Sequence, residues 1–335
     1  MREAINWKES KKDQIKCFNC QHGCLISPDK IGFCQVRKNI DNKLFSLNYG
    51  RIISQNIDPI EKKPLFHFLP GTLSYSIASV GCNFRCLHCQ NYSISQPGPL
   101  DEMPGEEVAP WQIVNSAKSM NCRSIAYTYT EPTIYIEYAL EVMKKAKEEG
   151  LKNIWVSNGY FTKETFEIIE PYLDAINIDL KFFNEENYEK VCGAKLKHVK
   201  DSLRRVAKSD VHLEVTTLLI PGLNDSDKEI SLMAKFIRFD LGNKIPWHLT
   251  AFYPTHKMDN IPPTSEKTIL TAIQIAKEND IQYVYAGNLK TSEHENTYCA
   301  ECGALLISRK GYVIEENYRN NKKCPKCGAA LPFTL

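Results

Sequence analysis

The sequence lacks several features that would define specialised classes of protein. No stretch approaches the ~18 consecutive apolar residues that a membrane-spanning helix requires. The first residues, MREAINWKESKKDQIK, are polar and charged and lack the apolar core of a secretion signal. An excess of one charge is also missing, because 42 Lys and Arg stand against 40 Asp and Glu. We therefore expect a cytoplasmic protein without membrane association, and the balanced charge argues against a nucleic-acid partner.

Composition and length leave an ordinary globular chain. Apolar residues make up 43% and charged residues 24%, values that exclude collagen-like, coiled-coil and disordered proteins. At roughly 100–200 residues per domain, 335 residues fit one large domain with appendages or two ordinary domains.

Cysteine is the residue that is unusually frequent. Thirteen cysteines in a cytoplasmic chain are not expected to form disulfides, because the cytosol keeps thiols reduced. Eleven fall into three tight clusters, and short spacings of this kind bring thiolates together around a metal. The clusters are Cys17, Cys20, Cys24 and Cys34; Cys82, Cys86 and Cys89; and Cys299, Cys302, Cys324 and Cys327. Cys122 and Cys192 stand apart, and we interpret each as a buried small hydrophobe.

The centre of the chain alternates between strand-like and helix-like segments. Near-continuous apolar runs begin at residues 73, 124, 153, 175, 212, 247 and 281, and helical patterns separate them. This alternation predicts an α/β fold with a parallel sheet, either a full or partial (β/α) barrel or a doubly wound open sheet. We expect an N-terminal Cys-rich region at 1–70, the barrel at 71–290, and a C-terminal zinc-ribbon-like module at 291–335.

The central cysteines follow the first predicted strand of the barrel. In either architecture the active site lies at the carboxyl ends of the strands. Cys82, Cys86 and Cys89 therefore occupy a candidate site, where three thiolates would ligate three irons of a [4Fe–4S] cluster and leave the fourth iron open. A zinc site completed by His88, or plain loop cysteines, are the alternatives.

The motif C-N-F-R-C-L-H-C-Q-N resembles the radical S-adenosylmethionine (SAM) enzymes, whose hallmark is C-x-x-x-C-x-x-C. Y-T-Y-T-E-P resembles that family's GGEP-like segment, although it departs from the glycine pattern. Asp179-Leu180-Lys181 and Pro221-Gly222 are similar to segments of glycyl-radical activating enzymes such as pyruvate formate-lyase activating enzyme. K-K-P-L-F-H-F-L-P-G and the terminal cysteine sets resemble the radical SAM member of the AmmeMemoRadiSam group.

The resemblance implies a [4Fe–4S] cluster whose open iron holds SAM, which is reductively cleaved to a 5′-deoxyadenosyl radical that abstracts hydrogen. It also implies an electron donor such as flavodoxin or ferredoxin. The residues expected to bind the cofactor follow successive strands: Thr128, Tyr129, Thr130, Glu131, Ser157, Asn158, Asp179 and Thr216. The expected catalytic residues are Asp179, Lys181 and His248. The alternatives are a helix cap for Glu131, a turn residue for Asn158, an ion pair for Asp179 and Lys181, and a core position for His248.

The two terminal cysteine sets predict further metal sites. Cys299-x-x-Cys302 and Cys324-x-x-Cys327 have the spacing of a four-cysteine zinc ribbon, with a disulfide pair or a rubredoxin-like iron site as competitors. The set from Cys17 to Cys34, with His22 as an additional candidate, fits zinc or an auxiliary Fe–S cluster, and we favour zinc because this segment has little apolar mass.

We expect an enzyme that abstracts hydrogen from a protein substrate, as activating enzymes do. Memo-like and AMMECR-like proteins are the partners that the resemblance suggests. Radical modification of a small molecule or RNA base is the alternative activity. A non-enzymatic zinc-ribbon adaptor is the third interpretation, but it gives three cysteines after the first barrel strand no purpose.

Overall fold

An eight-stranded, mostly parallel sheet forms the centre of the protein. The computed structural model describes residues 1–98, 102–289, 293–317 and 322–334. The sheet contains β1 (Ser54–Pro59), β2 (Leu73–Ala78), β3 (Ser124–Tyr127), β4 (Lys152–Ser157), β5 (Ala175–Asp179), β6 (His212–Leu219), β7 (Trp247–Ala251) and β8 (Val284–Gly287). All seven strands predicted for the barrel are present, as β2 to β8, and their order in the sheet follows their order in the chain.

The sheet is a partial barrel. Strands β2 to β8 are parallel, whereas β1 pairs antiparallel with β2, from Ser54 opposite Ala78 to Pro59 opposite Leu73. Among the described strands, the edge strands β1 and β8 do not pair with each other. The α/β fold class is therefore confirmed in its partial-barrel form, and the boundary expected at residue 70 falls between two paired strands.

Helices follow the parallel strands in regular alternation. They are α1 (Pro110–Ser119), α2 (Ile136–Glu148), α3 (Lys163–Ile169), α4 (Leu196–Val206), α5 (Asp227–Phe236) and α6 (Glu266–Glu278). Two of these helices begin at serine caps: Ser226 accepts from the backbone N–H of Glu229, and Ser265 accepts from the backbone N–H of Thr268. Nowhere in the described part of the chain does a helix combine the length and apolarity that crossing a membrane needs.

A segment between β1 and β2 fills the interior of the barrel. Residues 60–71, which we call the plug, place Ile60, Leu65, Phe68 and Leu69 against small or apolar residues of β3, β4 and β5. The plug backbone is fixed by the side chains of the sheet, since Asn177 donates to the carbonyl of Pro64 at 2.8 Å. The plug therefore fills the part of the barrel interior that it contacts, and the carboxyl ends of the strands remain for a site.

Short antiparallel sheets form the two ends of the chain. At the N-terminus, Trp7–Glu9, Ile15–Cys17 and Leu25–Ile26 form one sheet, and Arg2–Glu3, Lys43–Ser46 and Arg37–Ile40 form another. Arg51–Ile52 pairs with Glu106–Glu107. At the C-terminus, Thr297–Tyr298, Leu305–Lys310 and Val313–Asn317 form a three-stranded sheet.

Candidate iron–sulfur and cofactor site

The loop after β2 carries the three central cysteines and is fixed from several sides. The backbone N–H of Arg85 donates to the carbonyl of Cys192 and that of Leu87 donates to Val191, both at 2.9 Å. Gly81, at the start of the loop, has a φ of 100°, and a Cβ there would meet the carbonyl oxygen of Cys34 at 2.9 Å. Glycine is therefore required at this position, both for its φ and for the close approach of the N-terminal region.

The three thiols have different neighbours within this loop. The Sγ of Cys82 accepts from the backbone N–H of Phe84 at 3.3 Å, and the Sγ of Cys89 lies 3.1 Å from the hydroxyl of Ser95. Cys86 is grouped instead with His88 and Cys192, whose ligand atoms all lie within 4.8 Å of one another. Cys192, interpreted from the sequence as a buried small hydrophobe, is buried but lies beside a predicted cluster ligand.

Buried polar atoms without hydrogen-bond partners lie in this loop and on β6. They are the amide nitrogen of Asn83, both ring nitrogens of His88 and the hydroxyl of Thr216. Such atoms are rare in folded proteins because leaving them unpaired costs about 1–3 kcal/mol each. Three thiols together with unsatisfied polar groups fit a bound cluster and cofactor at this end of the barrel.

The segment after β3 reaches the site in an unusual backbone conformation. Tyr129 has a φ of 62°, the left-handed region in which glycine is favoured, so the tyrosine occupies a conformation suited to the glycine of the family pattern. Its hydroxyl donates to Asp58, and the buried ammonium of Lys63 lies 4.5 Å from the centre of its ring. The side-chain amide of Asn91, which lies just after the cysteine loop, donates to the backbone carbonyl of Tyr129 at 2.9 Å.

Thr128 and Thr130 are held by backbone bonds on either side of Tyr129. The N–H of Thr128 donates to the carbonyl of Ile77 at 3.0 Å, and the hydroxyl of Thr130 donates to the backbone carbonyl of Ser79 at 2.7 Å. Both residues are buried beside the carboxyl end of β2. The predicted cofactor segment is therefore fixed directly against the strand that leads into the cysteine loop.

Glu131 connects the ends of β3 and β4. It accepts from Ser157 Oγ and from the backbone N–H of Asn158, both at 2.9 Å, and it also caps the following turn by accepting from Thr133. Burial raises the pKa of this carboxyl, although these donors oppose the rise. Asn158 then donates to the Oδ1 of Asn83 at 2.7 Å, which connects β4 to the cysteine loop.

Asp179 and Lys181 form the ion pair that the sequence left open as an alternative. Their side chains meet at 2.8 Å and remain partly accessible, with exposed fractions of 31% and 16%. Burial opposes the charge of Lys181, but the Asp179 carboxylate and the neighbouring thiols raise the pKa of the ammonium. The pair lies at the carboxyl end of β5, where Asp179 is in register with Thr216 of β6.

His248 is buried on β7, where it is in register with Thr216 of β6. Its Nε2 is 2.6 Å from the carboxylate of Glu214, and its ring contacts Phe66 of the plug edge-on. Glu214 also accepts from the backbone N–H groups of Phe66 and His67, at 3.0 and 2.7 Å, and lies 3.0 Å from His212 Nε2. These contacts are those of a core position, the alternative considered for His248, and its catalytic role stays a prediction.

Several residues that support the site were not predicted from the sequence. They are Lys63 in the plug, Asp58 in strand β1 before it, and Glu214 within an apolar run of β6. One signal was available: a charged residue within a strand of otherwise buried character is expected to have a dedicated partner. The partners themselves, a tyrosine ring and plug backbone, are separated from these residues by about 70 to 150 positions.

The four C-terminal cysteines converge in the way that metal ligands do. The Sγ atoms of Cys299 and Cys327 lie 3.7 Å apart, as do those of Cys302 and Cys324, and all four lie within 4.8 Å of one another. Two equivalent turns create the site, since each begins with a cysteine whose carbonyl accepts from a glycine N–H four residues later, at 2.9 Å.

This module is attached to the plug by a buried arginine. Arg309 donates to the carbonyl of Phe66 at 2.8 Å and to Thr297 Oγ1 at 2.7 Å, and lies 3.6 Å from Glu61. The backbone N–H of Thr334 donates to the carbonyl of His67 at 2.9 Å. The C-terminal module therefore packs on the plug, away from the cysteine loop at the carboxyl ends of the strands.

The fold and this site define a class of enzyme: partial (β/α) barrels that carry a three-cysteine loop after the first parallel strand. The family model of the Radical SAM superfamily matches residues 76–234. An uncharacterized protein of Methanocaldococcus jannaschii is 42% identical over the full length of both chains. The chain belongs to the radical SAM superfamily, which confirms the resemblance drawn from the cysteine motif.

Activating enzymes are among the more distant relatives. A putative glycyl-radical enzyme activating enzyme of M. jannaschii is 28% identical over 60% of this chain and 76% of its own. The pyruvate formate-lyase-activating enzyme of Staphylococcus epidermidis is 20% identical over 63% of this chain and 90% of its own. Among solved structures, a radical SAM methyltransferase from Sphaerobacter thermophilus superposes with a TM-score of 0.52 at 17% identity, covering 71% of each chain. That likeness supports the fold alone.

Proposed function

We propose that this protein abstracts hydrogen from a polypeptide substrate, as an activating enzyme does. Membership of the superfamily supports a [4Fe–4S] cluster and radical chemistry from SAM, and two relatives carry activating-enzyme names. When bound, the cluster and SAM supply the reductive carbon–sulfur cleavage. In this proposal Cys82, Cys86 and Cys89 hold the cluster.

The remaining candidates shape the pocket around that cofactor. Glu131 and Asn158 hold the ends of β3 and β4 against the cysteine loop, so that the predicted SAM contacts at Thr128, Ser157 and Thr216 share one rim. Asp179 and Lys181 present opposite charges at the opening of the barrel. We propose that this pair contacts SAM or the substrate, because its exposed fraction leaves atoms free for a ligand.

The surface around the opening carries the observation that favours a polypeptide. The ring of Tyr92 stacks on that of His256 with 4.4 Å between their centres, and Tyr92 and Tyr253 are 45% and 47% exposed. The loop that bears His256 is bonded to the cysteine loop, since the N–H of Lys257 donates to the carbonyl of Leu87 at 3.0 Å. Exposed tyrosines are typical anchors of protein interfaces.

The experiment follows hydrogen from the substrate. Anaerobically reconstituted protein, SAM and a reductant are incubated with perdeuterated cell extract that has been separated into macromolecular and small-molecule fractions. We expect deuterium in 5′-deoxyadenosine only with the macromolecular fraction, and protease treatment of that fraction should abolish the transfer. Cys86→Ala is the control without radical formation.

Other outcomes of this experiment would identify the alternatives. Transfer from the small-molecule fraction, or transfer that ribonuclease abolishes, would overturn the polypeptide proposal and favour a small molecule or an RNA base. An absence of SAM cleavage in the reconstituted protein would contradict the enzymatic interpretation and favour the adaptor. Membership of the superfamily supports an electron donor. That this donor is a flavodoxin or ferredoxin, and that Memo-like and AMMECR-like proteins are partners, stay predictions.

A further inference from the structure

The four N-terminal cysteines surround one small cavity beside the cysteine loop, which carries Cys82, Cys86 and Cys89. Cys17, Cys20, Cys24 and Cys34 all line it, together with Arg37. Two backbone bonds shape the turn that carries three of them: the N–H of Cys17 donates to the carbonyl of Cys24 at 3.0 Å, and that of Gly23 donates to Cys20 at 3.1 Å. Four thiols around a common space form a ligand set, and the spacing of their sulfurs indicates which metal centre they fit.

The C-terminal cysteines provide a comparison within the same chain. Four thiolates on one zinc ion with ~2.3 Å bonds lie about 3.8 Å apart, the edge of the tetrahedron. The pairs Cys299–Cys327 and Cys302–Cys324 are separated by 3.7 Å. The C-terminal set therefore already has the spacing of a single ion, and it supports the zinc predicted from sequence.

The N-terminal set is more widely spaced. Although all four cysteines lie within the described range 1–98, no three of their Sγ atoms come within 4.8 Å of one another. The space that they enclose admits a water-sized sphere, whereas thiolates around a single zinc would leave no such space. The Sγ atoms of Cys82, Cys86 and Cys89, which belong to the superfamily's cluster motif, likewise do not all lie within 4.8 Å of one another.

We propose that Cys17, Cys20, Cys24 and Cys34 hold a second iron–sulfur cluster of the [4Fe–4S] type instead of the zinc that the sequence favoured. In such a cluster each thiolate binds a different iron, so the sulfurs lie farther apart than around one ion. Four protein ligands leave no iron open, so this cluster does not bind SAM. The inference is independent of the proposed substrate, because it concerns only this ligand set.

The surroundings of the set suit an anionic cluster. Cys17 and Cys34 are buried, and Arg37 beside them is held by two hydrogen bonds of 2.9 Å to the Glu137 carboxylate. Shielding from water and a fixed positive group are two features by which a protein tunes such clusters.

The N-terminal site contacts the cysteine loop directly. Arg85 donates to the carbonyl of Phe33, and His22 Nε2 lies 2.7 Å from the carbonyl of Asn83. The carbonyl oxygen of Cys34 lies close behind Gly81. A cluster held by this set would therefore lie next to the loop that carries Cys82, Cys86 and Cys89.

The test uses the full-length chain, purified without oxygen, in a Cys82→Ala/Cys86→Ala/Cys89→Ala variant that lacks the catalytic ligands. We expect about four irons and as many sulfides per chain to remain, as one [4Fe–4S] cluster requires, with about one zinc at the C-terminal site. After reduction, electron paramagnetic resonance should show a cluster signal. Adding Cys20→Ser and Cys24→Ser should remove the iron and the signal and leave the zinc, whereas adding Cys122→Ser should change neither.

Two results would overturn the proposal. One is a triple variant with about two zinc ions and no iron, since each four-thiolate zinc site holds one ion. The other is iron that persists after Cys20 and Cys24 are replaced. If the larger variant does not fold, anomalous scattering at the iron and zinc edges from crystals of the triple variant identifies the metal at the N-terminal set. Iron there supports the proposal and zinc overturns it.

Discussion

Tyr129 offers a direct test of how the cofactor segment is held, because its backbone and its side chain make opposing contributions. The left-handed φ of 62° costs a non-glycine residue roughly 1–2 kcal/mol. The hydroxyl bond to the ionised Asp58 contributes about 1.5–3 kcal/mol. The contact with the buried Lys63 contributes about 0.5–2 kcal/mol. The side-chain contacts therefore outweigh the backbone strain.

Three substitutions separate these contributions. Tyr129→Phe loses only the hydroxyl bond, so we expect a destabilisation of about 1.5–3 kcal/mol. Tyr129→Ala loses every side-chain contact and keeps the strain, so it should be the least stable. Tyr129→Gly loses the same contacts but relieves the strain, and it should be more stable than the alanine variant by about 1 kcal/mol.

The assay is anaerobic urea unfolding followed by circular dichroism, with the exposed helical residue Gln274 as the matched control. At a helical position, glycine is less stable than alanine by about 0.8–1.0 kcal/mol, so Gln274→Gly should unfold before Gln274→Ala. The order is reversed only where φ is positive. If Tyr129→Gly unfolds before Tyr129→Ala, the backbone at this position is not strained and the reasoning fails.

Three further expectations concern the other sites. Cys302→Ser should lower the zinc content by about one equivalent and leave SAM cleavage intact, because a four-thiolate site holds one ion; iron and sulfide at this site would contradict the zinc assignment. Asp179→Asn should weaken SAM binding or uncouple cleavage at unchanged cluster content, whereas misfolding without a pocket effect would support a plain ion pair. Burial raises the pKa of Glu295 from 4.5 to about 7. Between these values the folded state binds the extra proton, so its stability falls as pH rises. The Tm of Glu295→Gln should therefore exceed that of the native protein at pH 8 and match it near pH 4.5.

Periodicity predicted the architecture well because the parallel strands are buried on both faces. The strands in SIAYTY and AINIDL are buried on almost every residue of both faces, so the length of these runs and their separation by helical patterns identify them. Strand β1 shows the limit of this reasoning. Its burial follows no regular alternation, and in the sheet it pairs only with β2. Such a strand has no clear periodic pattern, and the prediction from sequence included it in the N-terminal region.

The candidate site was predictable where chemistry depends on short spacing. The C-x-x-x-C-x-x-C motif places three thiols on one loop whatever the rest of the fold does. The interactions of Tyr129, Asp58 and Lys63 depend on packing between distant segments, so they left no local pattern. The same holds for the choice of metal at the N-terminal set: the spacing from Cys17 to Cys34 identifies a ligand set, whereas the distances between sulfurs are set by the folded backbone.

The plug shows how a distant carboxylate supports the barrel, and it leads to a final prediction. Glu214 accepts from two plug N–H groups and contacts two histidines, and these partners hold its pKa below the usual range despite burial. Glu214→Gln keeps the shape but leaves a plug donor facing an amide N–H, at a cost of about 1–3 kcal/mol. Glu214→Ala should cost about 3–5 kcal/mol, as expected for a broken buried ion network.

The pH dependence of this network has a definite sign. A carboxyl whose pKa is lowered on folding stabilises the native state above its ordinary pKa of 4.5 and loses that contribution as pH falls further. The unfolding free energies of the native protein and Glu214→Gln should therefore differ at pH 7 and converge on acidification. The exposed Glu106→Gln is the control and should leave urea unfolding unchanged at pH 7. If Glu214→Gln matches that control at pH 7, Glu214 does not hold the plug, and packing of Phe68 and its neighbours must hold it alone.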